Sequence, residues 1–438
     1  MQDRQHYKLQ PLIIRNIALL AAASVVGVTA FQTLFLLAPL ALLRLTGSEF
    51  ISSNYMTFFA GGTLIALIPA GTLMDRFGRR VGLLAGPAMI LTGLILSSLS
   101  VAHASTPALL ASIMFCGMGV GFTNLNTMAG GDIAPPGRKA EIMAIVSFCS
   151  SFGLFSGPLL GGFAADTAKS LGLDPLVASW WFPAALAAVA ILLGGLIRPD
   201  PKKIAQDPAK YHGFAEEAEK PIPDKHESPQ AAKAGGLREM LPLLKDRPMQ
   251  TVLVASFGFT ILRTSILVLL ATVLYKRGFS MTLTGTMISA MGLGGLISGL
   301  PAGFVADRLG RKAVLVVACL LALLGLPMVF LKTGTLLLWA GLVLLGMAFA
   351  AVQGMDRAIL VDITEAATRG KAFGIWQFSD NSARMATPLL AGAINVMAKW
   401  EGVGVLCFVS VAIAMFFVVR LREAAVGVYA RPAGFVQQ

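Results

Sequence analysis

The chain is 438 residues long, 56% hydrophobic and only 13% charged. So much apolar surface cannot be hidden in a soluble fold, so the composition places the protein in a bilayer and excludes a soluble enzyme or binding domain. The net charge of +12 first suggests nucleic acid, but its distribution along the chain excludes that partner.

Twelve runs reach the roughly 20 apolar residues needed to cross hydrocarbon: 16–44, 49–74, 81–102, 106–131, 141–166, 178–197, 248–275, 281–306, 313–331, 335–361, 372–398 and 402–419. With the N-terminus in the cytoplasm, the 35 Lys and Arg divide as 26 on the cytoplasmic side, 6 on the far side and 3 within spans. This positive-inside bias predicts an inner (plasma) membrane protein with both termini cytoplasmic. The basic excess faces anionic lipid and needs no nucleic acid. The first 15 residues are polar and basic (Arg4, Lys8, Arg15), and the run after them is too long for a cleaved signal, so the first span is retained.

The first span carries Gln32 near its middle and ends at Arg44, expected to snorkel to the interface. The second starts after Glu49, has Asn54 and Tyr55 near its outer end, and runs into Gly71-Thr72-Leu73-Met74-Asp75-Arg76-Phe77-Gly78-Arg79-Arg80. The fourth contains Asn124 and Asn126 and ends at Asp132, before Pro135-Pro136-Gly137-Arg138. In the fifth, Gly153, Gly157 and Gly161 recur on one face, Gly162 follows, and Pro158 removes a backbone hydrogen bond. Residues 199–247 hold nine basic and nine acidic side chains and read as a solvated linker, with one amphipathic helix expected near 237–244. The eighth span repeats the glycine device at Gly295, Gly299 and Gly303, and the two glycine faces are expected to meet. The cysteines Cys116, Cys149, Cys319 and Cys407 lie in apolar runs and read as packing residues.

The second half repeats the first. Gly303-Phe304-Val305-Ala306-Asp307-Arg308-Leu309-Gly310-Arg311-Lys312 returns 232 residues after the first charged turn, and at an offset of 230 Asp132 falls on Asp362, Pro158 on Pro388 and Gly162 on Gly392. A duplication of this kind reads as a transporter of two related halves. The pattern G-x-x-x-D-R-x-G-R-[RK] resembles the signature loop of the major facilitator superfamily. The resemblance implies an all-α membrane protein with twelve transmembrane helices in two pseudo-symmetric six-helix bundles, residues 1–198 and 248–438, joined by the linker. It implies a monomeric carrier with a small-molecule substrate between the bundles, driven by an ion gradient, most simply protons. It also makes Asp75, Arg76 and Arg79 gate residues, with Asp132 and Arg138 joining their charge network. Gly71 and Gly303 would permit close helix contact, and Gly78 and Gly310 a tight turn.

The stretch Gly153, Gly157, Pro158, Gly161 and Gly162 resembles the antiporter motif of the drug:proton exporters, which implies proton-coupled export. Tight helix packing is the plainer reading of the same residues. The first span lacks the acid found in many exporters, and Ile113 stands where that branch places a membrane arginine.

Charges within the spans are Arg263, Asp356, Arg357, Asp380 and Arg384, all in the second half. A charge at mid-bilayer costs about 2.5–3.5 kcal/mol on insertion scales, so each is a functional candidate. Asp380 and Arg384 are four residues apart and can pair on one helix face, with Trp376, Gln377 and Asn381 close by; Gln353 lies a turn before Asp356. In one reading Asp356 or Asp380 carries the coupling proton and Arg263 or Arg384 meets an anionic part of the substrate. In the other, Asp380–Arg384 is a permanent structural pair. The buried arginines keep uptake of an anionic metabolite by proton symport open beside export, and a non-transporting sensor or scaffold is the rival from another class. No Walker loop, metal-ligand spacing or nucleophile–base pair appears, so no cofactor, metal or enzymatic activity is expected.

Overall fold

The computed structural model describes residues 10–124, 126–135, 138–207, 210–211, 247–331, 334–364 and 366–421. Hydrocarbon offers no partner for backbone N–H and C=O groups, so each crossing must bond within itself, and the described residues are helical almost throughout. Eleven segments are long and apolar enough to span, and the last of them, Ala372–Arg420, folds in two at Lys399 (φ 56°), giving the twelve crossings. The expected helix near 237–244 lies outside the described residues.

The first crossing is α1 (Pro11–Gln32) followed by α2 (Leu34–Thr46). They part at Thr33, whose hydroxyl donates to the Ala30 carbonyl at 2.7 Å. The second is α3 (Glu49–Ser53) and α4 (Tyr55–Phe77), and the third α5 (Arg79–Ala102). The fourth is interrupted beside Asn124, between α6 (Thr106–Thr123) and α7 (Asn126–Ile133). Then come α8 (Lys139–Ser170), the short α9 (Pro175–Ala178), α10 (Trp181–Leu196) and α11 (Pro201–Gln206). The second half holds α12 (Arg247–Lys276), α13 (Met281–Leu309), α14 (Arg311–Phe330), α15 (Thr335–Ile363) and α16 (Ala366–Arg420).

Both halves share one neighbour scheme. In the first, α1 packs on α8 and α10, α5 on α6 and α10, and α4 on α6. In the second, α12 packs on α16, α13 on α15, and α14 on α15 and α16. This is the pseudo-symmetry that the repeated motifs announce. Arg44 does more than snorkel: it pairs with Asp174 at 2.6 Å, and its guanidinium holds the Asp174 carboxyl below the usual range. The four cysteines are free thiols.

The glycine faces do not meet as expected. A Cβ on Gly153 would lie 2.6 Å from the Val28 Cβ, and one on Gly157 2.4 Å from the Gln32 Cβ, so this face is pressed on α1. Gly299 and Gly303 have open space around them, and Gly295 approaches only Ala350 of its own half. The seam between α8 and α13 is built instead from Phe155, Pro158 and Gly162 against Gly292, Gly285 and Met281. A Cβ on Gly285 would sit 2.2 Å from the Pro158 carbonyl oxygen. The reason is geometric: α8 presents small residues on two sides, and spacing alone does not say which neighbour each side meets.

Candidate functional site

Three helices of the second half converge on one buried polar cluster. On α12, Ser256, Thr260 and Arg263 follow at spacings of four and three, which puts them on one face. On α16, Trp376, Asp380 and Arg384 follow at spacings of four. The two faces match in register. Trp376 Nε1 donates to Ser256 Oγ at 3.0 Å, and Thr260 Oγ1 donates to Asp380 Oδ1 at 2.5 Å, each pair being 120 residues apart. One turn further, the partners would be Arg263 and Arg384, two cations.

Arg384 turns back along its own helix to Asp380, with Nε at 2.9 Å and Nη2 at 2.8 Å from Oδ2. Asp380 is thereby fully engaged while almost entirely buried, whereas the Arg384 side chain keeps 27% of its exposure. Arg263 stacks over the Phe349 ring at 4.5 Å and lies within electrostatic range of Asp380, Arg384 and Tyr55. Asn381 is buried, its amide donating to the Gln377 carbonyl at 2.9 Å.

From α15 come Gln353, Asp356 and Arg357. Arg357 is exposed, with its guanidinium 5.6 Å from the Trp376 ring centroid. Asp356 is fully buried beside Ser256 and Trp376, and no donor is well aligned on either carboxylate oxygen. Ser256 accepts from Trp376 and keeps its own O–H beside Asp356, so this carboxylate is buried with its nearest donors out of line. In the first half Gln32 is buried against Gly157, and Asn124 is exposed at the interruption of the fourth crossing. The Asn126 side chain lies outside the described residues.

The second constellation lies at the signature loops. Gly78 and Gly310 take φ of 97° and 92°, in the region that favours glycine. Arg79 Nε meets Asp132 Oδ2 at 2.8 Å, and Arg311 meets Asp362 in the same way, so the loop-to-helix pair is duplicated along with the motif. Two expectations are corrected. Arg138 stays out of this network and pairs with Glu141 at 2.6 Å, three residues along its own helix. Gly71 and Gly303 contact nothing within 4 Å of a built Cβ, so they mediate no close approach in this arrangement. Arg76 is exposed and lies 5.3 Å from the Phe77 ring centroid, and Arg308 is likewise exposed. The side chains of Asp75 and Asp307 lie outside the described residues.

Sequence reasoning missed several groups. Asp200 accepts from the backbone N–H groups of Arg79 (3.1 Å), Arg80 (3.1 Å) and Lys202 (2.8 Å), which ties the start of the linker to the signature loop. Its D-P sequence before a helix is a legible cap signal. Glu49 joins Lys276 of α12 and Asn395 of α16. Ser256 and Thr260 were legible only through their spacing to Arg263.

A set of hydrogen bonds joins the halves away from the signature loops. Tyr55 donates to the Leu267 carbonyl, Thr57 to Met385, and Ser53 to Pro388, while Ser52 meets Thr272. The Leu159 N–H, just after Pro158, donates to Ser289 Oγ at 2.9 Å, and Thr282 N–H to Asp166. Pro158 and its repeat Pro388 therefore both sit at a seam between halves.

Comparison with known proteins places this architecture. The model of the Major Facilitator Superfamily matches residues 19–279 and 251–435. Among curated proteins the chain is 27% identical over 349 residues to the MFS-type transporter YdeG of Bacillus subtilis, covering 76% of this chain and 74% of that one. It is 24% identical over 316 residues to the glucose-6-phosphate exchanger SLC37A2 of Bos taurus, covering 65% and 62%. Among solved structures it superposes on a D-xylose-proton symporter with a TM-score of 0.70 at 16% identity, covering 92% and 98%. With the repeated loops, the shared packing of the halves and a family match over nearly its whole length, the chain belongs to the Major Facilitator Superfamily of secondary transporters.

Proposed function

We propose that this protein carries a small organic anion across the cell membrane by alternating access of its two bundles, with a proton as coupling ion. The observation that carries the reading is the charge balance of the cluster: three arginines, of which Arg357 is exposed, against two aspartates, one of them already engaged by Arg384. A carboxylate or phosphate between Arg263 and Arg384 offers Arg263 an acceptor and Arg384 an alternative to Asp380. The similarity to a glucose-6-phosphate exchanger supports a phosphate- or carboxylate-bearing substrate. Asp356 holds and releases the proton, since an ionised carboxylate fully buried with no well-aligned donor is costly away from water.

With the signature loops in the cytoplasm, as the positive-inside bias supports, the arrangement is closed outward. Exchange of the anion for protons, that is export, is the direction supported by the motif Gly153, Gly157, Pro158, Gly161 and Gly162 on α8. Uptake by symport is the second reading, favoured by the same arginines, since a cationic cluster also serves an anion that is taken up. In both readings the protein works as a monomer, and the Asp75, Arg79 and Asp132 group acts as gate.

The test is a screen of organic acids and sugar phosphates in sealed vesicles with an imposed pH gradient. The expected result is anion movement driven by the gradient, its sign giving the direction. The Asp356→Asn carrier should lose gradient-driven movement but keep exchange at equal pH. Accumulation of substrate by that variant against its gradient would remove Asp356 from the role.

A further inference from the structure

An open groove of about 620 Å³ lies where α5 meets the chain leaving α10, at the signature-loop end. Its walls combine Arg80, Arg198 and Lys203 with Phe77, Val81 and Leu84. One carboxylate also lines it, that of Asp200, but both its oxygens are taken by the backbone N–H groups of Arg79, Arg80 and Lys202. The Arg198 and Lys203 side chains are exposed and meet no acidic group in the described structure. Arg80 is held by the Gly195 carbonyl at 2.8 Å, while its Nε is left without an acceptor. Phe77 is 60% exposed at the last turn of a spanning helix, where headgroups give way to hydrocarbon.

We propose that this groove binds an anionic phospholipid. The phosphodiester sits among Arg80, Arg198 and Lys203, and an acyl chain follows Phe77, Val81 and Leu84. Cations and apolar side chains at one interfacial site match that amphiphile, and a soluble anion would use only half of the lining. The site is separate from the substrate cluster, and none of its residues belongs there. A bound lipid would rest against the Asp200 clamp on the signature loop.

The test uses the full chain in nanodiscs of phosphatidylcholine with increasing phosphatidylglycerol. Native mass spectrometry should find retained phosphatidylglycerol on the wild-type protein. An Arg198→Gln, Lys203→Gln variant should bind it about thirty-fold more weakly, since each cation near an anionic headgroup contributes about five-fold in affinity. Equal retention by the variant would overturn the proposal. So would occupancy by soluble glycerol 3-phosphate with the same affinity, which would make the site one for free phosphate. If the variant fails to fold, a photoactivatable phosphatidylglycerol on the wild-type protein decides. Labelling of peptides containing residues 77–84 and 198–203 is expected, and labelling confined to other surfaces would refute the site.

Discussion

Asp380 is almost without exposure, and its two oxygens are bound by Thr260 and Arg384. Removing one partner of such a pair costs more than removing both, because the survivor is left charged and unmatched in a poorly solvated place. Asp380→Asn should therefore lower the unfolding free energy in detergent by about 3 kcal/mol, and adding Arg384→Gln should restore part of it. Thr260→Val should cost only about 1 kcal/mol, the worth of one hydrogen bond. Thermal unfolding of the four proteins checks the order, and a double variant less stable than Asp380→Asn would show that Arg384 has another partner. The charges themselves were legible in the sequence, because charged residues in apolar runs stand out. The pairing of Asp380 with Arg384 was legible too, from their spacing. The poor alignment of donors on Asp356 was not, since it depends on how Ser256 and Trp376 meet across two helices 120 residues apart.

At the scale of elements, α8 separates two kinds of small residue. Gly157 faces α1 of its own bundle, whereas Pro158 and Gly162 face α13 of the other. Gly157→Leu should thus damage the fold of the first bundle, at about 1–3 kcal/mol or more for overpacking, and lower the yield of folded protein. Gly285→Leu meets the backbone of Pro158 and should leave both bundles folded while keeping the seam apart. Its expected signature is normal thermal unfolding together with raised labelling of cysteines placed along α8 and α13. The opposite pattern, loss of folding with Gly285→Leu alone, would mean that the seam is needed for folding. The existence of twelve crossings and of both loops was legible because length, apolarity and a ten-residue motif are local properties. Which side of α8 meets which neighbour was not, because it is decided by the arrangement of three helices at once.

Across the whole molecule, hydrogen bonds and one ion pair join the halves at the end away from the signature loops. Glu49 is central to the joined end, linking α3 to α12 and α16. A charge-assisted bond is worth about 1.5–3 kcal/mol when protected. Here the Lys276 side chain is 51% exposed, so the lower figure for surface pairs applies, about 1 kcal/mol. Glu49→Gln should move the balance about five-fold toward the arrangement open at that end. Spin-label distances across the two ends report it: the pair near Glu49 should lengthen as the pair near Gly78 and Gly310 shortens. A variant with unchanged distances at both ends would show that the apolar seams alone hold the closure.

The uneven placement of buried charge also bears on how the chain enters the membrane. The first half is made first, and its spans carry no charge at their middle. The first buried cation to arrive is Arg263, at about 2.5–3.5 kcal/mol if it stood at the centre of a lone helix. Two of the groups that steady it are not yet made: the Phe349 ring lies 86 residues downstream and Asp380 lies 117. Asp380 and Arg384, by contrast, emerge together on one helix and can insert as a neutral couple. Biogenesis of the second bundle thus meets its hardest step at α12, which must shelter Arg263 against the finished first bundle, or hold it near the headgroups, until α15 and α16 follow.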